Sequence, residues 1–296
     1  MIYSSLIIGC YGLIEETVDS IVMSTVESLV AICQRHSDLP AEIRETNRRL
    51  ILECLRSGDK ARTRLPVDER TALSSLGASA NDPPALVAAA FTFASANYRL
   101  PYTRELFSRL LIRLPNDIAG ENDADALSVS GFSNYESFLD DLVQRRNDIA
   151  HSYTDNQLLS LDILSSYVDN THNYLARLIN LVDHYLLDVL LSTKEFRIGS
   201  VVRMWTGRVG IRMDSGSISV GDRLILMNAD RHVLHRVVSL QSEGIDSEYF
   251  EYDGIRPLNV SAAVDFTSNN CLRWDAFIIP DEFKRYWIEA DVLKPR

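Results

Sequence analysis

Three residues near the middle of the chain have side chains suited to phosphate chemistry: Arg146, Asn147 and His151. Histidine titrates near neutral pH and can take up or return a proton. Arginine stays charged and offers a planar fork of N–H donors that fits phosphate oxygens. Asn147 could hold the phosphate or orient the imidazole. Together the three side chains could supply charge stabilisation and proton transfer at a phosphodiester.

RNA suits this set because its ribose carries its own nucleophile, the 2′-hydroxyl. Strand scission then needs only proton transfer and relief of the charge on the pentavalent phosphorane. The scheme requires no metal, so we expect RNA (tRNA, rRNA or mRNA) as the substrate and no cofactor. An arginine and a histidine five residues apart also occur by chance in many helices. The predicted elements around the pair must therefore decide whether it is functional.

Residues 134–153 are predicted to form the helix that carries these side chains. Its apolar residues recur at helical spacing, and they are Tyr135, Phe138, Leu139, Leu142, Ile149 and Ala150. On an ideal helix Asn147 and His151 share a ridge, with Arg146 about 100° from Asn147 round the axis. Arg146 also continues the apolar row. Its charge would therefore point at a packed face or a subunit seam, where it needs an anion or a carboxylate partner.

Helical periodicity extends over most of residues 1–194. Besides the motif helix, we predict helices over 6–30, 41–57, 67–76, 85–96, 101–114 and 158–192. Residues 116–130 are predicted to be a loop that leads into the motif helix.

The pattern changes near residue 195 to short β-rich runs separated by glycine turns. Predicted strands cover 200–205, 209–213, 223–227, 233–240, 249–252, 260–266 and 276–279. Many short strands at close spacing favour a small barrel or sandwich. We therefore predict an α+β multidomain chain, with an all-α bundle over 1–194 and a small β-barrel over 195–296.

The helical part resembles the HEPN superfamily, in particular its RiboL-PSP type. Ribonuclease members of this superfamily carry an Arg-x4–6-His motif, usually with a polar residue after the arginine, and Arg146, Asn147 and His151 fit that motif. The motif also lies in the penultimate helix of a predicted bundle. The resemblance covers residues 1–193.

The same resemblance indicates three auxiliary candidates. A carboxylate in the first long helix is expected, which is Glu15 or Glu16. Arg145 can be read as the motif arginine instead of its neighbour, although Asn147 then loses its place directly after the arginine.

The resemblance also implies partners. In this superfamily two motif helices of a homodimer face each other and form a composite active site, an arrangement typical of toxins and antiphage effectors. Tyr153 completes an Arg-x4-His-x-Tyr pattern, and in some members the equivalent tyrosine is adenylylated by a partner antitoxin. A core or cap role is the alternative for Tyr153. The expected partners are thus RNA, a second copy of the chain, and an antitoxin or regulatory protein.

The β-rich part resembles the second-domain β-barrel of translational GTPases over residues 196–280. The likeness rests on the segment 216–224, which fits a G-x-I-x-x-G-D pattern with a turn between two strands. The sequence has no GxxxxGK[ST] loop, so a recognition module that docks on tRNA, ribosomal RNA or a translation or phage component is expected. The alternative is a barrel that only stabilises the dimer.

Two sets of side chains in the β-rich part could be mistaken for sites. His232 and His235 are interpreted as exposed strand positions and not as metal ligands. The three tryptophans are interpreted as core or interface anchors and not as base-stacking platforms, and they are Trp205, Trp274 and Trp287.

The charge of the chain limits how it could bind RNA. With 30 Lys and Arg against 41 Asp and Glu, the formal net charge is −11, which argues against broad electrostatic coating of nucleic acid. Residues 195–296 carry 13 basic and 15 acidic residues, which leaves 17 against 26, or −9, for residues 1–194. Any RNA site in the helical part must therefore concentrate a few arginines.

Two further features bear on location. The apolar N-terminal stretch lacks the preceding basic residues of a signal peptide and meets Glu15 too early to span a bilayer. Four cysteines are scattered without metal-ligand spacing. We expect a cytoplasmic protein with reduced thiols, no metal and no membrane contact.

These observations predict a metal-independent endoribonuclease that acts through Arg146 and His151 at a dimeric site, as a toxin or abortive-infection effector. One alternative is a non-catalytic helical scaffold that binds a nucleotide or a protein. The other is a translation-associated binding protein whose function lies in the barrel.

Overall fold

The computed structural model divides the chain into two compact units, Met1–Leu186 and Leu187–Arg296. Helices build the first unit, and strands dominate the second. The predicted fold class, an α+β chain with an N-terminal helical part and a C-terminal barrel, is confirmed. The residues that the structure describes are 2–57, 67–93, 96–116, 118–119, 123–151, 159–193, 196–228, 232–264 and 271–279.

Helix α1 (Ile2–Ile32) supplies a long buried face of the first unit. Five aliphatic residues at helical spacing have no exposed surface: Ile7, Ile14, Val18, Val22 and Leu29. Each such side chain contributes about 1.5–3 kcal/mol by leaving water. The predicted helix over 6–30 is confirmed and extends slightly further at both ends.

The other helices of the described residues follow in chain order. They are α2 (Ala41–Ser57), α3 (Glu69–Leu76), α4 (Ala88–Phe91), α5 (Leu100–Ser108), α6 (Asp123–Val129), α7 (Tyr135–Ala150) and α8 (Leu161–Thr193). The predictions for α2, α3, α7 and α8 are confirmed to within a few residues.

The predicted alanine-rich helix over 85–96 is wrong, because α4 contains only four residues. Side chains of neighbouring helices hold the backbone before it in an extended form. The Oδ1 atom of Asn47 accepts a hydrogen bond from the N–H of Val87 at 2.9 Å, and the hydroxyl of Ser75 donates to the carbonyl of Ala85 at 2.7 Å. A helix over 85–96 would pair the Ala85 carbonyl internally, whereas here that carbonyl accepts from Ser75.

The predictions on either side of residue 115 are also corrected. Helix α5 ends at Ser108 and not at Leu114, since Leu111 adopts a left-handed conformation with φ 63°. The predicted loop over 116–130 contains the short helix α6. Its first residue, Asp123, forms a 2.9 Å ion pair with Arg177 of α8, a tertiary contact that local sequence does not reveal.

The second unit is a closed six-stranded antiparallel barrel. Its strands lie in the order β4-β9-β1-β2-β8-β5, and pairing of β4 with β5 closes the ring. Strand β6 adds to β5, while β3 and β7 form a separate two-stranded sheet. Closure leaves few free strand edges. The strands are β1 (Arg197–Trp205), β2 (Arg208–Met213), β3 (Ser217–Ser219), β4 (Arg223–Met227), β5 (His232–Ser242), β6 (Ile245–Ser247), β7 (Tyr249–Glu251), β8 (Leu258–Val264) and β9 (Asp275–Ile278).

All seven predicted strands are found; the one over 223–227 has the predicted bounds, and the others differ at one or both ends. The turn expected within 216–224 is also present: Gly221 has φ 93°, and Asp222 Oδ2 accepts a hydrogen bond from the N–H of Ser219 at 2.7 Å. Strand β6 was not predicted, because only one of its three residues, Ile245, is apolar and no alternation can register.

Two tryptophans and one histidine of the barrel bear on the single-residue predictions. Trp274 packs against the barrel core as expected, whereas Trp205 is 43% exposed, so a core role is wrong for it. His235 is buried, which contradicts the predicted exposed position. The side chain of His232 and all of Trp287 lie outside the described residues.

The four cysteines are buried free thiols, as predicted. Within the described ranges, no His, Cys, Asp or Glu side chains gather in groups of three that could hold a metal ion. In the same ranges, no helix combines the length and the apolar character needed to cross a membrane.

Candidate active site

Helix α7 carries the predicted site residues, and its cap and apolar face fix its position. The Oδ1 atom of Asn134 accepts a hydrogen bond from the backbone N–H of Ser137 at 2.9 Å and so caps the first turn. The buried residues of the helix are Tyr135, Phe138, Leu139, Leu142 and Val143. Ile149 is half-buried and Ala150 is exposed, so the predicted apolar row stops before the last turn. That turn presents the candidate residues.

Arg146 lies in the last turn, half-buried against α1. Its Cζ atom is 4.8 Å from the ring centroid of Tyr11, a cation–π distance. Its Nη1 atom donates a hydrogen bond to Oδ1 of Asn147 at 3.0 Å. No carboxylate of the described residues forms an ion pair with Arg146. Neither contact neutralises the guanidinium, so the described part of the chain does not supply the anion that this charge was expected to need.

The side chain of Asn147 is oriented by its neighbour. A guanidinium has only donors, so the amide atom that faces Arg146 must be the oxygen. The amide NH2 group of Asn147 forms no hydrogen bond with a described residue and remains available to a ligand. Asn147 therefore positions the arginine through one atom and can contact a phosphate through the other.

His151 is the residue that ends α7. Its backbone N–H donates to the carbonyl of Asn147 at 2.9 Å, and its φ of −94° and ψ of 8° end the helical geometry. The residue is exposed. Four positions correspond to about 40° round a helix, so Asn147 and His151 project on one side. The hydrogen bond to Asn147 draws the Arg146 guanidinium toward that same side.

Arg145, one residue earlier, has quite different surroundings. Its Nε atom contacts Oδ2 of Asp141 at 2.6 Å and the hydroxyl of Tyr167 at 3.2 Å, while Nη1 donates to the Tyr3 hydroxyl at 3.1 Å. The Tyr167 hydroxyl also donates to Asp141. Burial, and next the Asp141 carboxylate, raise the pKa of Tyr167. Arg145 is thus part of a neutralised structural network that links α1, α7 and α8.

The two auxiliary carboxylates lie on α1, and one of them, Glu15, acts on Tyr11 through its charge. The pKa of the Tyr11 hydroxyl is raised, mainly by burial, although the backbone contact with Tyr98 lowers it. The charge of Glu15 raises this pKa further, and the charges of Arg146 and Arg99 lower it. Glu15 is therefore close enough to Tyr11 for its charge to act there. Glu16 is also exposed, but it lies about 100° further round the helix.

Sequence reasoning missed the residues that support Tyr11. The backbone N–H of Tyr98 donates to the Tyr11 hydroxyl at 3.4 Å, and the Tyr98 hydroxyl donates to Oδ1 of Asp19 at 2.6 Å. Arg99, next in the chain, forms a 2.5 Å ion pair with Asp140 of α7. One signal was present in the sequence: Tyr11, Glu15 and Asp19 stand four residues apart and form a polar ridge on α1.

The structure therefore brings Arg146, Asn147 and Tyr11 into contact and places His151 on the same side of α7. Glu15 acts on this cluster through its charge, and Arg145 belongs to a separate network. Tyr153, the candidate modification site, lies outside the described residues.

Comparisons with known proteins assign the helical part of the chain to a family. No curated protein matches the chain. One solved structure that matches is the C-terminal domain of a putative U32 peptidase of Geobacillus thermoleovorans, at 14% identity and a TM-score of 0.25, over 30% of this chain and 96% of that one. The family model described as RiboL-PSP-HEPN matches residues 2–184, more than half of the chain. The chain therefore belongs to the RiboL-PSP-HEPN family.

Proposed function

We propose that this chain is a metal-independent endoribonuclease whose Arg146 and His151 act at a composite site formed by two copies of the chain. The contrast between adjacent arginines supports this most. Arg145 is neutralised by Asp141, whereas Arg146 has no carboxylate partner among the described residues. A half-buried guanidinium that has no carboxylate partner among the described residues, on the side of α7 that also carries the exposed His151, suits a phosphodiester.

The reaction needs only groups that the chain and its substrate supply. His151 takes the proton of the ribose 2′-hydroxyl as that oxygen attacks the adjacent phosphorus. Arg146 and the Asn147 amide hydrogens stabilise the charge on the phosphorane oxygens. The bond from phosphorus to the 5′-oxygen then breaks, and the leaving oxygen receives a proton. The products are a 2′,3′-cyclic phosphate and a 5′-hydroxyl.

A second copy of the chain gives this scheme its acid. One histidine can start the step as a base, while its counterpart across a two-fold cleft protonates the leaving oxygen. Two copies of Arg146 would also concentrate positive charge in a helical part whose net charge is −9, from 17 basic and 26 acidic residues. Family membership suggests RNA contact and dimerisation. In the cell we propose the role of a toxin or abortive-infection effector, held in check by an antitoxin or regulatory partner.

The test compares purified wild type with Arg146→Met and His151→Asn on single-stranded RNA in excess EDTA. Matched controls are Arg48→Met and His172→Asn, which change exposed residues on α2 and α8. Wild type and both controls should cleave, and each site variant should lose about 100-fold or more in rate. Cleavage by His151→Asn at the wild-type rate, or loss of wild-type cleavage in EDTA, would overturn the proposal.

A further inference from the structure

One outer face of the barrel, formed by β1, β2 and β8, has an unusual set of side chains. In the β1–β2 register Arg203 lies opposite Gly210, and Trp205 lies opposite Arg208. Val209, Ile211 and Met213 point into the core, so the alternate residues of β2 point outward. We name Arg203, Trp205, Arg208 and Arg212 the arginine–tryptophan face.

The charge of this face differs from that of the whole chain. Strands β1, β2 and β8 contain four arginines and no Asp or Glu, in a chain with a net charge of −11. Arg197, at the start of β1, is neutralised by Asp214 and Asp275. The three arginines of the face form no ion pair with any residue in the described ranges. Among the described residues, the positive charge of this face is therefore local and not balanced by an ion pair.

Trp205 occupies the middle of these arginines. The Arg203 guanidinium is 5.0 Å from the centroid of its ring. A Cβ atom placed on Gly210 would come within 3.1 Å of the ring, so the indole extends across β2 above the position between Arg208 and Arg212. Those two arginines are four residues apart on β2, about 14 Å. With 43% of Trp205 exposed, the ring remains accessible to a planar group.

We propose that the arginine–tryptophan face binds single-stranded RNA, one base stacking on Trp205 while neighbouring phosphates contact the arginines. An exposed aromatic ring surrounded by guanidinium groups is the combination that holds unpaired bases. A duplex keeps its bases stacked on one another and offers none to the indole. The preference for RNA over DNA rests on the proposed function, whereas the stacking and charge argument does not.

The test measures fluorescence anisotropy of a labelled RNA of about 12 nucleotides, bound to the full-length protein. All its 2′-hydroxyls are methylated, so that the proposed cleavage cannot occur. The variants are Trp205→Ala, Trp205→Phe and a triple Arg→Gln change at 203, 208 and 212. The controls are Tyr249→Ala, in the β3–β7 sheet, and Arg236→Gln, on the β4–β5 side of the barrel. Thermal melting checks that each variant folds.

Trp205→Ala should weaken binding about tenfold, and Trp205→Phe should weaken it less, because a smaller ring still stacks. The triple variant should reduce the slope of log affinity against log salt by about 2. Equal binding by wild type and all face variants would overturn the proposal. An equal loss of affinity in the control variants would also overturn it. Face variants that lose function in cells but keep their RNA affinity would do the same and would indicate a protein partner. Binding through this face without cleavage of unmodified RNA would reject the proposed function alone.

Discussion

Arg145 and Arg146 are neighbours in the chain, yet the structure predicts opposite consequences when each is replaced by methionine. Arg145 forms hydrogen bonds with Tyr3, Asp141 and Tyr167 and so connects three helices. Among the described residues, the side chain of Arg146 makes one ring contact, with Tyr11, and one hydrogen bond, with Asn147. The Arg145→Met change should therefore reduce stability, and the Arg146→Met change should reduce activity.

The expected size of the stability effect follows from these contacts. Without Arg145, the Asp141 carboxylate and the Tyr3 hydroxyl lose a charged donor, and hydrogen bonds to charged groups are worth about 1.5–3 kcal/mol. The side chains of Arg145 and Asp141 are 21% and 32% exposed, and partial hydration reduces the loss to about 2 kcal/mol. In a unit of this size that lowers the melting temperature by about 4–8 °C. Arg146→Met removes a cation–π contact of about 0.5–1 kcal/mol and an uncompensated charge, so its net effect is smaller.

Two measurements separate the outcomes: thermal melting followed by circular dichroism, and RNA cleavage well below the melting temperature. We expect Arg145→Met to melt earlier and to cleave at a rate within a few-fold of wild type. Arg146→Met should melt close to wild type and lose cleavage. The reverse pattern, with a destabilised but active Arg146→Met, would refute the division between a structural and a catalytic arginine.

Three further predictions concern Tyr11, Asp183 and the proposed composite site. Tyr11→Leu should slow cleavage about two- to fivefold by releasing Arg146, whereas Tyr11→Phe should cleave at the wild-type rate. Cleavage by Tyr11→Leu at the wild-type rate would exclude a positioning role for Tyr11. Burial raises the pKa of Asp183 to about 7, so the folded state loses stability as pH rises from about 4 to about 7. Asp183→Asn should therefore raise the melting temperature at pH 8 but not at pH 4. The control Asp169→Asn, at an exposed position of α8, should leave the melting temperature unchanged at both pH values. Heterodimers of Arg146→Met with His151→Asn should recover part of the activity if the site is composite, and mixed chains as inactive as either parent would argue for independent sites.

Much of the fold could be predicted because its signal is local. The apolar spacing of α1 and α2 and the glycine-punctuated alternation of the barrel strands depend on neighbouring residues alone. The failure over 85–96 has a distant cause. Alanine favours a helix there, but the side chains of Asn47 and Ser75 bind the backbone at Val87 and Ala85 instead. Asn47 is 40 residues away in sequence.

The site shows the same limit. The type and spacing of Arg146, Asn147 and His151 were sufficient to select them as candidates. The different surroundings of the two arginines were not predictable, because one partner of Arg145, the Tyr3 hydroxyl, is 142 residues away in sequence. A core role was wrong for Trp205 for a similar reason. An aromatic residue in a strand is usually a packing residue, whereas Trp205 is 43% exposed and its ring lies over Gly210.

The chemical identity of the cut ends tests the central claim most directly. If His151 activates the ribose and Arg146 stabilises the phosphorane, RNA incubated with wild type should end in a 2′,3′-cyclic phosphate, with a 5′-hydroxyl on the following fragment. A single 2′-deoxy substitution at the cut position should abolish that cut. Ends with a 3′-hydroxyl and a 5′-phosphate would show that water was the nucleophile and would contradict the account.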